Sequence, residues 1–419
     1  MVTKSTNKIA NVPNLRFPFD DVWEKYRVSD LLEFFTTNSL SWEQLEYDTD
    51  NLYNLHYGLI HKGASTQISI DNFRLPNIRK KFIPQTYILC KDGDVAFADA
   101  SEDTNDVAKV VEFFNCNDKK IVCGLHTIHG RDKLNITIKG FKGYAFSSFS
   151  FRNQIKQLAQ GTKVYSVSQK NFSECFIGIP SKEEQTKIAH LLQLIDDHLS
   201  TQSQIIQRLK SLIQNLNNNL KELYGNKIEI SLQQLGSSYS GLSGKSAEDF
   251  GSGKPFATYM NVYKNMIVDE SMVEYVKIDK NETQNKVQYG DVLFTISSET
   301  PQEVGISAVY LGNNKELYLN SFCFGYRLDN FDTLLPEYMP YLFSCKQFRK
   351  IVCPLAQGST RFNLQKTDFL RKKFKIPTTQ NQKKISNVLN AFSEKLKIEQ
   401  KLLFEYQNQK KYLLNQMFI

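Results

Sequence analysis

The sequence predicts an α+β protein built by duplication. Two mixed helix-and-strand domains are each followed by a long helix, and the two helices pair antiparallel as a coiled coil. Three observations predict this. Three separated blocks recur at one constant offset, each set of blocks runs into a helix-length segment with a 3.5-residue apolar period, and the segments between read as short strands and turns.

The offset is 197 residues, the distance from Gly93 to Gly290. At that shift Gly93-Asp94-Val95-Ala96-Phe97 falls on Gly290-Asp291-Val292-Leu293-Phe294, Ala159-Gln160-Gly161-Thr162 on Ala356-Gln357-Gly358-Ser359, and Ile179-Pro180 on Ile376-Pro377. A looser match, Tyr57 to Lys62 against Tyr259 to Lys264, sits at an offset of 202, so the front of each repeat has gained or lost residues while the back has not. The division that follows is 1–178 for a leading segment and the first mixed domain, 179–224 for the first long helix, 225–375 for the second mixed domain and 376–419 for the second long helix. Within the domains Tyr87-Ile88-Leu89-Cys90 reads as a strand before the turn at Lys91 to Asp94, Val292 to Phe294 as a strand after Gly290, and Pro336 to Cys345 as a short helix.

The first long helix opens after Ile179-Pro180, where Ser181 and Glu184 have the spacing of a capping box, and meets no Pro or Gly until Gly225. Its seam is Ile188, Leu192, Ile195, Leu199, Gln202, Ile206, Leu209, Ile213, Leu216, Leu220 and Leu223, in alternating steps of four and three. The second helix repeats the register with Ile385, Leu389, Phe392, Leu396, Glu399, Leu403, Tyr406, Lys410, Leu413 and Met417. A 3.5-residue period is a coiled-coil seam, and at a rise of 1.5 Å per residue each helix spans about 60 Å. Because a whole domain separates the helices, antiparallel pairing is natural, giving a dumbbell with a pseudo-two-fold axis. Gln202 and Glu399 share one heptad position, which makes them either a register and partner-choice device or a solvated gap.

Composition sets the class. With 419 residues, 41% hydrophobic and 23% charged, the chain is neither disordered nor a small stapled scaffold. No stretch approaches the roughly 18 apolar residues of a membrane span, and Met1 to Asn11 is polar, so a cytoplasmic protein without membrane association is expected. The seven cysteines lack any C-x-x-C pair and read as reduced thiols. Cys123, His126 and His129 form one C-x-x-H-x-x-H cluster with no second cluster to complete a metal site, so strand and loop, and no metal, are expected there. A net charge of +8 allows a polyanionic partner without demanding one.

No catalytic residues are expected. Gly241-Leu242-Ser243-Gly244-Lys245-Ser246 resembles the end of a phosphate-binding loop, but the first glycine that loop requires would stand where Tyr239 does. There is no G-x-S-x-G elbow, no dinucleotide fingerprint and no Asn-Pro-Pro or Asp-Pro-Pro run. What remains suits a binding surface. Gly236 to Lys264 is dense in hydroxyl, amide and ammonium donors, and Gly358-Ser359-Thr360-Arg361-Phe362-Asn363 offers the Arg and Asn suited to bidentate contacts with G and A. Its counterpart Gly161-Thr162-Lys163-Val164-Tyr165-Ser166 offers Lys163 instead, and Arg371, Lys372, Lys373 and Lys375 make a basic run that only the second repeat has.

These features together resemble the specificity subunit of type I restriction-modification enzymes: two recognition domains, each followed by a helix opening with Ile-Pro and a Gln five residues after the proline, here Pro180 with Gln185 and Pro377 with Gln382. Val12 to Trp23 resembles the family's N-terminal run, and Ser240 to Ser246 with Tyr259-Met260-Asn261-Val262, and Tyr57 to Gly63, resemble two types of recognition domain. The resemblance covers essentially the whole chain. It implies a non-catalytic subunit that reads an asymmetric bipartite double-stranded DNA target and docks two modification subunits. It also implies that the helices set the half-site spacing. S-adenosylmethionine would be bound by the modification subunits, ATP and Mg by two restriction subunits, and no cofactor by this chain. Base readers are then expected at His61, Lys62, Ser101 and Lys163 in the first domain, and at Lys245, Tyr259, Asn261, Lys264, Ser298, Arg361 and Asn363 in the second. Two other classes stay open, a coiled-coil protein scaffold without DNA specificity and an RNA-binding module. Competition between duplex and single-stranded nucleic acid separates all three.

Overall fold

Two units partition the chain, Met1–Ser203 with Lys401–Ile419, and Gln204–Gln400. The computed structural model describes residues 12–419 apart from 70, 72, 117, 118 and 224–226, so the polar start Met1 to Asn11 and the helix stop Gly225 lie outside the described residues. The division falls inside both long helices, because each half-helix buries its apolar stripe in the unit where it lies.

The first unit is built on a five-stranded sheet in the order Leu32–Phe35, Thr127–Asp132, Val95–Ala98, Lys109–Phe114, Gln67–Ser69, with a four-stranded sheet in the order Ile121–Cys123, Tyr53–Leu55, Asn77–Ile78, Leu45–Glu46 beside it in sequence. Glu24–Arg27 pairs with Phe176–Ile179 just ahead of the first long helix. The second unit has the corresponding parts. Its four-stranded sheet runs Gly236–Ser240, Cys323–Leu328, Val292–Thr295, Ser307–Val309, a three-stranded sheet joins Val273–Val276, Phe250–Ala257 and Tyr318–Leu319, and Lys227–Ser231 pairs with Lys373–Pro377 ahead of the second long helix.

The long helices run Lys182–Leu223 and Thr379–Gln416. In the first unit Asp196 ion-pairs with Lys410 and His198 stacks on Tyr406 with ring centroids 5.4 Å apart. Numbering rises along one helix as it falls along the other, so the pairing is antiparallel. Ile188, Leu192 and Ile195 share a core with Leu413, Met417 and Phe418, and in the second unit Ile213 shares one with Ile385 and Leu389. Leu199, Ile206, Leu209, Phe392, Leu396 and Leu403 are likewise buried or half-buried. Gln202 and Glu399 are only 5% and 6% exposed, which excludes the solvated gap; Lys395 ion-pairs with Glu399 one turn away.

The Ile-Pro…Gln motif has a structural meaning. Gln185 accepts from the backbone N–H of Ile138 at 2.9 Å and donates to the carbonyls of Ile136 and Pro180, while Gln382 accepts from Leu335 N–H at 2.9 Å and donates to Thr333 and Pro377. Each buried amide thus pins the loop that follows the strand Thr127–Asp132 or Cys323–Leu328 to the turn that starts the helix.

Three local expectations change. Ser181 caps Glu184 N–H only at 3.5 Å, because the Glu184 carboxylate turns to Arg16, which it meets bidentately, and to the Trp23 indole. Tyr87 to Cys90 forms no strand: Tyr87, Ile88 and Leu89 are exposed, and only Cys90 N–H reaches a neighbouring strand, at Ile121 O. Pro336 to Cys345 contains the helix Met339–Ser344, and a second helix, Lys346–Val352, starts beyond the extended Cys345.

Candidate nucleic-acid interface

The Gly-Asp blocks are turns that hold a buried carboxylate. Gly93 and Gly290 have φ of 80° and 85°, the left-handed position of a tight turn, and the following Asp94 and Asp291 are buried. Arg131 grips Asp94 through Nε and Nη2, both at 2.7 Å, and Arg327 grips Asp291 at 2.9 and 2.6 Å. Burial works to raise the Asp94 carboxyl, and the hydrogen bonds from Arg131 and His129 outweigh it, so it titrates below the usual carboxylate range. The third partner differs between units. In the first, His129 meets Asp94 at 2.8 Å and Phe35, its cross-strand neighbour, carries the Arg131 guanidinium on its ring. In the second those positions are Gly325 and Tyr239: the Tyr239 hydroxyl donates to Asp291 at 2.7 Å, and a Cβ on Gly325 would lie 2.0 Å from the tyrosine ring. Burial and the neighbouring Asp291 raise the Tyr239 hydroxyl well above its ordinary value, so it stays a donor.

On this scaffold each unit presents a tight hairpin. Gly161 and Gly358 have φ of 144° and 135°, and a Cβ at either would collide with the carbonyl oxygen three residues on, Val164 at 1.9 Å and Arg361 at 2.1 Å. Tyr165–Ser166 pairs with Ala100–Ser101 in the first unit, and Phe362–Leu364 with Ser297–Ser298 in the second. Beside each hairpin stands a short helix, Tyr57–His61 or Tyr259–Lys264, anchored on the same strand: the His61 ring meets Ala100 O and the Tyr259 hydroxyl donates to Ser297 O, both at 2.8 Å.

The first unit therefore brings His61, Lys62, Ser101 and Lys163 to one neighbourhood, with Lys62 and Lys163 exposed. The second brings together Tyr259, Ser298, Arg361 and Asn363, with Arg361 and Asn363 exposed on the hairpin. Three expected readers do other work. Asn261 is fully buried: its amide donates to Asp269 O and Met272 O and accepts from Asp269 N–H, holding the next loop. Lys245 is turned inward to Glu282 and Lys277 O, and Ser298 is buried with its hydroxyl on Thr300 O. Lys264, at the far end of its short helix, lines a cavity of about 490 Å³ with Lys210, Asn217 and Lys397. The donor-rich segment from Gly236 to Lys264 holds the strands Gly236–Ser240 and Phe250–Ala257 and the short helix Tyr259–Lys264. Arg371, Lys372, Lys373 and Lys375 are all exposed at the end of the second unit's domain.

Sequence reasoning missed an aromatic row in the first unit. Trp42, His56 and Tyr57 succeed one another at 4.4 and 4.7 Å, and Tyr57 is flanked by His61 and by the exposed His126 at 5.9 and 5.2 Å. Lys62 lies over the Trp42 ring at 6.0 Å. The match of Tyr57 with Tyr259 was the available signal. An exposed flat ring next to lysine can stack on a base or sugar and meet phosphate at once.

Comparisons with known proteins give a family and a fold. The family described as "Type I restriction modification DNA specificity domain" matches residues 21–211 and 242–405. No curated protein matches the chain. The crystal structure of the type I restriction-modification system S subunit from M. genitalium matches at 16% identity and a TM-score of 0.54, covering 97% of this chain and 99% of that one. A structure described under complex assembly and conformational transition of the type I R-M system matches at 15% identity and a TM-score of 0.56, covering 96% and 98%.

Proposed function

The chain belongs to the type I restriction-modification DNA specificity family, and from that membership we propose that it is the DNA-reading, non-catalytic subunit of such a complex, acting in the cytoplasm on a bipartite, asymmetric duplex target. Each unit reads one half-site. One observation carries this reading: the same hairpin, built on an equivalent left-handed glycine, presents Lys163 and Val164 in one unit and Thr360 and Arg361 in the other. A shared backbone with unlike exposed side chains suits two readers of unlike sequences.

The partners follow from the same reading. Two modification subunits dock on the chain and supply S-adenosylmethionine and adenine methylation, and two restriction subunits bring ATP and Mg. The long helices set the unread spacer between the half-sites, since each passes from one unit into the other. The test is to map methylated adenines in a host carrying the chain with its modification subunits. One bipartite motif with two different halves is expected. Methylation without a motif, or tighter binding of the chain to single-stranded RNA than to duplex DNA, overturns the proposal.

A further inference from the structure

The C-x-x-H-x-x-H cluster does not act as one group. His126 faces Asp99 at 3.1 Å, while Cys123 and His129 turn inward and meet Cys90, which lies 33 residues before Cys123. One ligand atom from each of Cys90, Cys123 and His129 lies within 4.8 Å of the other two, and all three residues are buried. The two thiol sulfurs are 3.6 Å apart. Zinc held tetrahedrally by thiolates at about 2.3 Å sets its sulfurs roughly 3.8 Å apart, so the pair stands at the separation such an ion needs.

The imidazole is prepared in the same way. His129 Nε2 is held by Asp94, itself fixed by Arg131, and a carboxylate on one ring nitrogen is the usual means of aiming the other at a metal. That other nitrogen, Nδ1, is buried and has no hydrogen-bond partner. A buried nitrogen without a partner costs roughly 1–3 kcal/mol and calls for an occupant. Cys116, in the same core cluster, turns its thiol to Phe114 O at 3.9 Å and is not part of this group.

The second unit shows what this place looks like without ligands. Cys90 N–H bonds Ile121 O and Val287 N–H bonds Leu317 O, both at 2.8 Å, which makes Val287 the counterpart of Cys90 and Leu319 that of Cys123. His129 corresponds to Gly325 by strand register. Valine, leucine and glycine close the layer there, so the fold does not require Cys, Cys and His at these positions.

We propose that the first unit binds one thiophilic divalent ion, zinc by this donor set, through Cys90, Cys123 and His129. Two sheets meet at the ion, since Cys123 ends a strand of the four-stranded sheet and His129 lies on the five-stranded one. The ion is a staple between them, and its binding displaces protons from the two thiols.

The full chain, expressed with zinc in the medium and gel-filtered, is expected to carry about one zinc per chain by elemental mass spectrometry. Cobalt in its place should show a thiolate charge-transfer band. Cys90→Val with Cys123→Leu introduces the second unit's own residues, so it should fold by circular dichroism and gel filtration yet hold less than a tenth of an equivalent. Wild-type protein below a tenth of an equivalent after refolding with zinc, a Cys90–Cys123 disulfide in freshly isolated chain, or full zinc in the double variant each overturns the proposal.

Discussion

Replacing Gln382 by leucine removes a buried amide without changing its size much, and it tests whether the motif that opens the second long helix is a structural pin. Three hydrogen bonds vanish, from Leu335 N–H and to the carbonyls of Thr333 and Pro377. At about 1 kcal/mol net each the loss is about 3 kcal/mol, roughly a hundredfold in the folded ratio. Gln382→Glu should cost more at neutral pH, since it aims a carboxylate oxygen at two carbonyls. Protonation is favoured in that setting, so part of the loss should return on acidification. The assay exploits the two tryptophans, Trp23 and Trp42, both in the first unit. In urea the far-ultraviolet circular dichroism of Gln382→Leu should move to lower denaturant more than tryptophan fluorescence does, and Gln185→Leu should reverse that order. A midpoint for Gln382→Leu within the error of wild type would refute the reasoning, because a buried amide with three partners cannot be removed for nothing.

Other outcomes follow from the site. Arg361→Ala should change reading of the second half-site by about 1–3 kcal/mol in methylation mapping and leave the first untouched; a uniform loss on all sequences would make Arg361 a phosphate contact. Asn261→Ala should destabilise the second unit by about 2–4 kcal/mol in urea melts while the recognised sequence stays the same, since its amide is spent on residues 269 and 272. His56 is held down to about 4 by burial, then by His126, so the first unit should lose stability as pH falls from about 6.5 towards 4. His56→Asn, which keeps a cap acceptor for Gly58 N–H but does not titrate, should flatten that slope in fluorescence-monitored melts. Four residues inserted after Leu209, about 6 Å of helix, should lengthen the unread spacer by one or two base pairs at about 3.4 Å each; an active enzyme with its spacer unchanged would remove the helices as the ruler.

What was legible in the sequence was whatever is local or repeats. The seam from Ile188 to Met417 was legible because a 3.5-residue period depends only on spacing, and the equivalence of the Gly161 and Gly358 segments because the offset of 197 residues held through them, whereas their hairpin turns were not. Burial was not legible. Asn261 and Lys245 look like surface donors until Asp269 and Glu282 fold over them, and Ser298 looks like a reader until Thr300 takes its hydroxyl. Tyr87 to Cys90 has the composition of a strand but forms no ladder, since its backbone N–H groups reach a strand only at Cys90. The exchange of Phe35 and His129 for Tyr239 and Gly325 escapes any residue-by-residue alignment, because the two units draw the same donor from opposite strands of a pair. Cys90 escapes for the same reason, as its neighbours are remote in sequence.

The order of segments along the chain has a consequence for synthesis. The second unit is one uninterrupted stretch, Gln204–Gln400, whereas the first is completed only by Lys401–Ile419. Leu15 N–H bonds Gln416 O, and Trp23 packs edge-on against Phe418 at 6.1 Å, so that late segment covers the earliest described part of the chain. A ribosome adding about 5–20 residues per second spends roughly 10–40 s between Ser203 and Lys401. During that interval the stripe of Ile188, Leu192 and Ile195 stands without its cover, and the later unit lacks its last segment until Gln400 is added. The early half is therefore the part longest exposed to chaperones, proteases and other nascent copies.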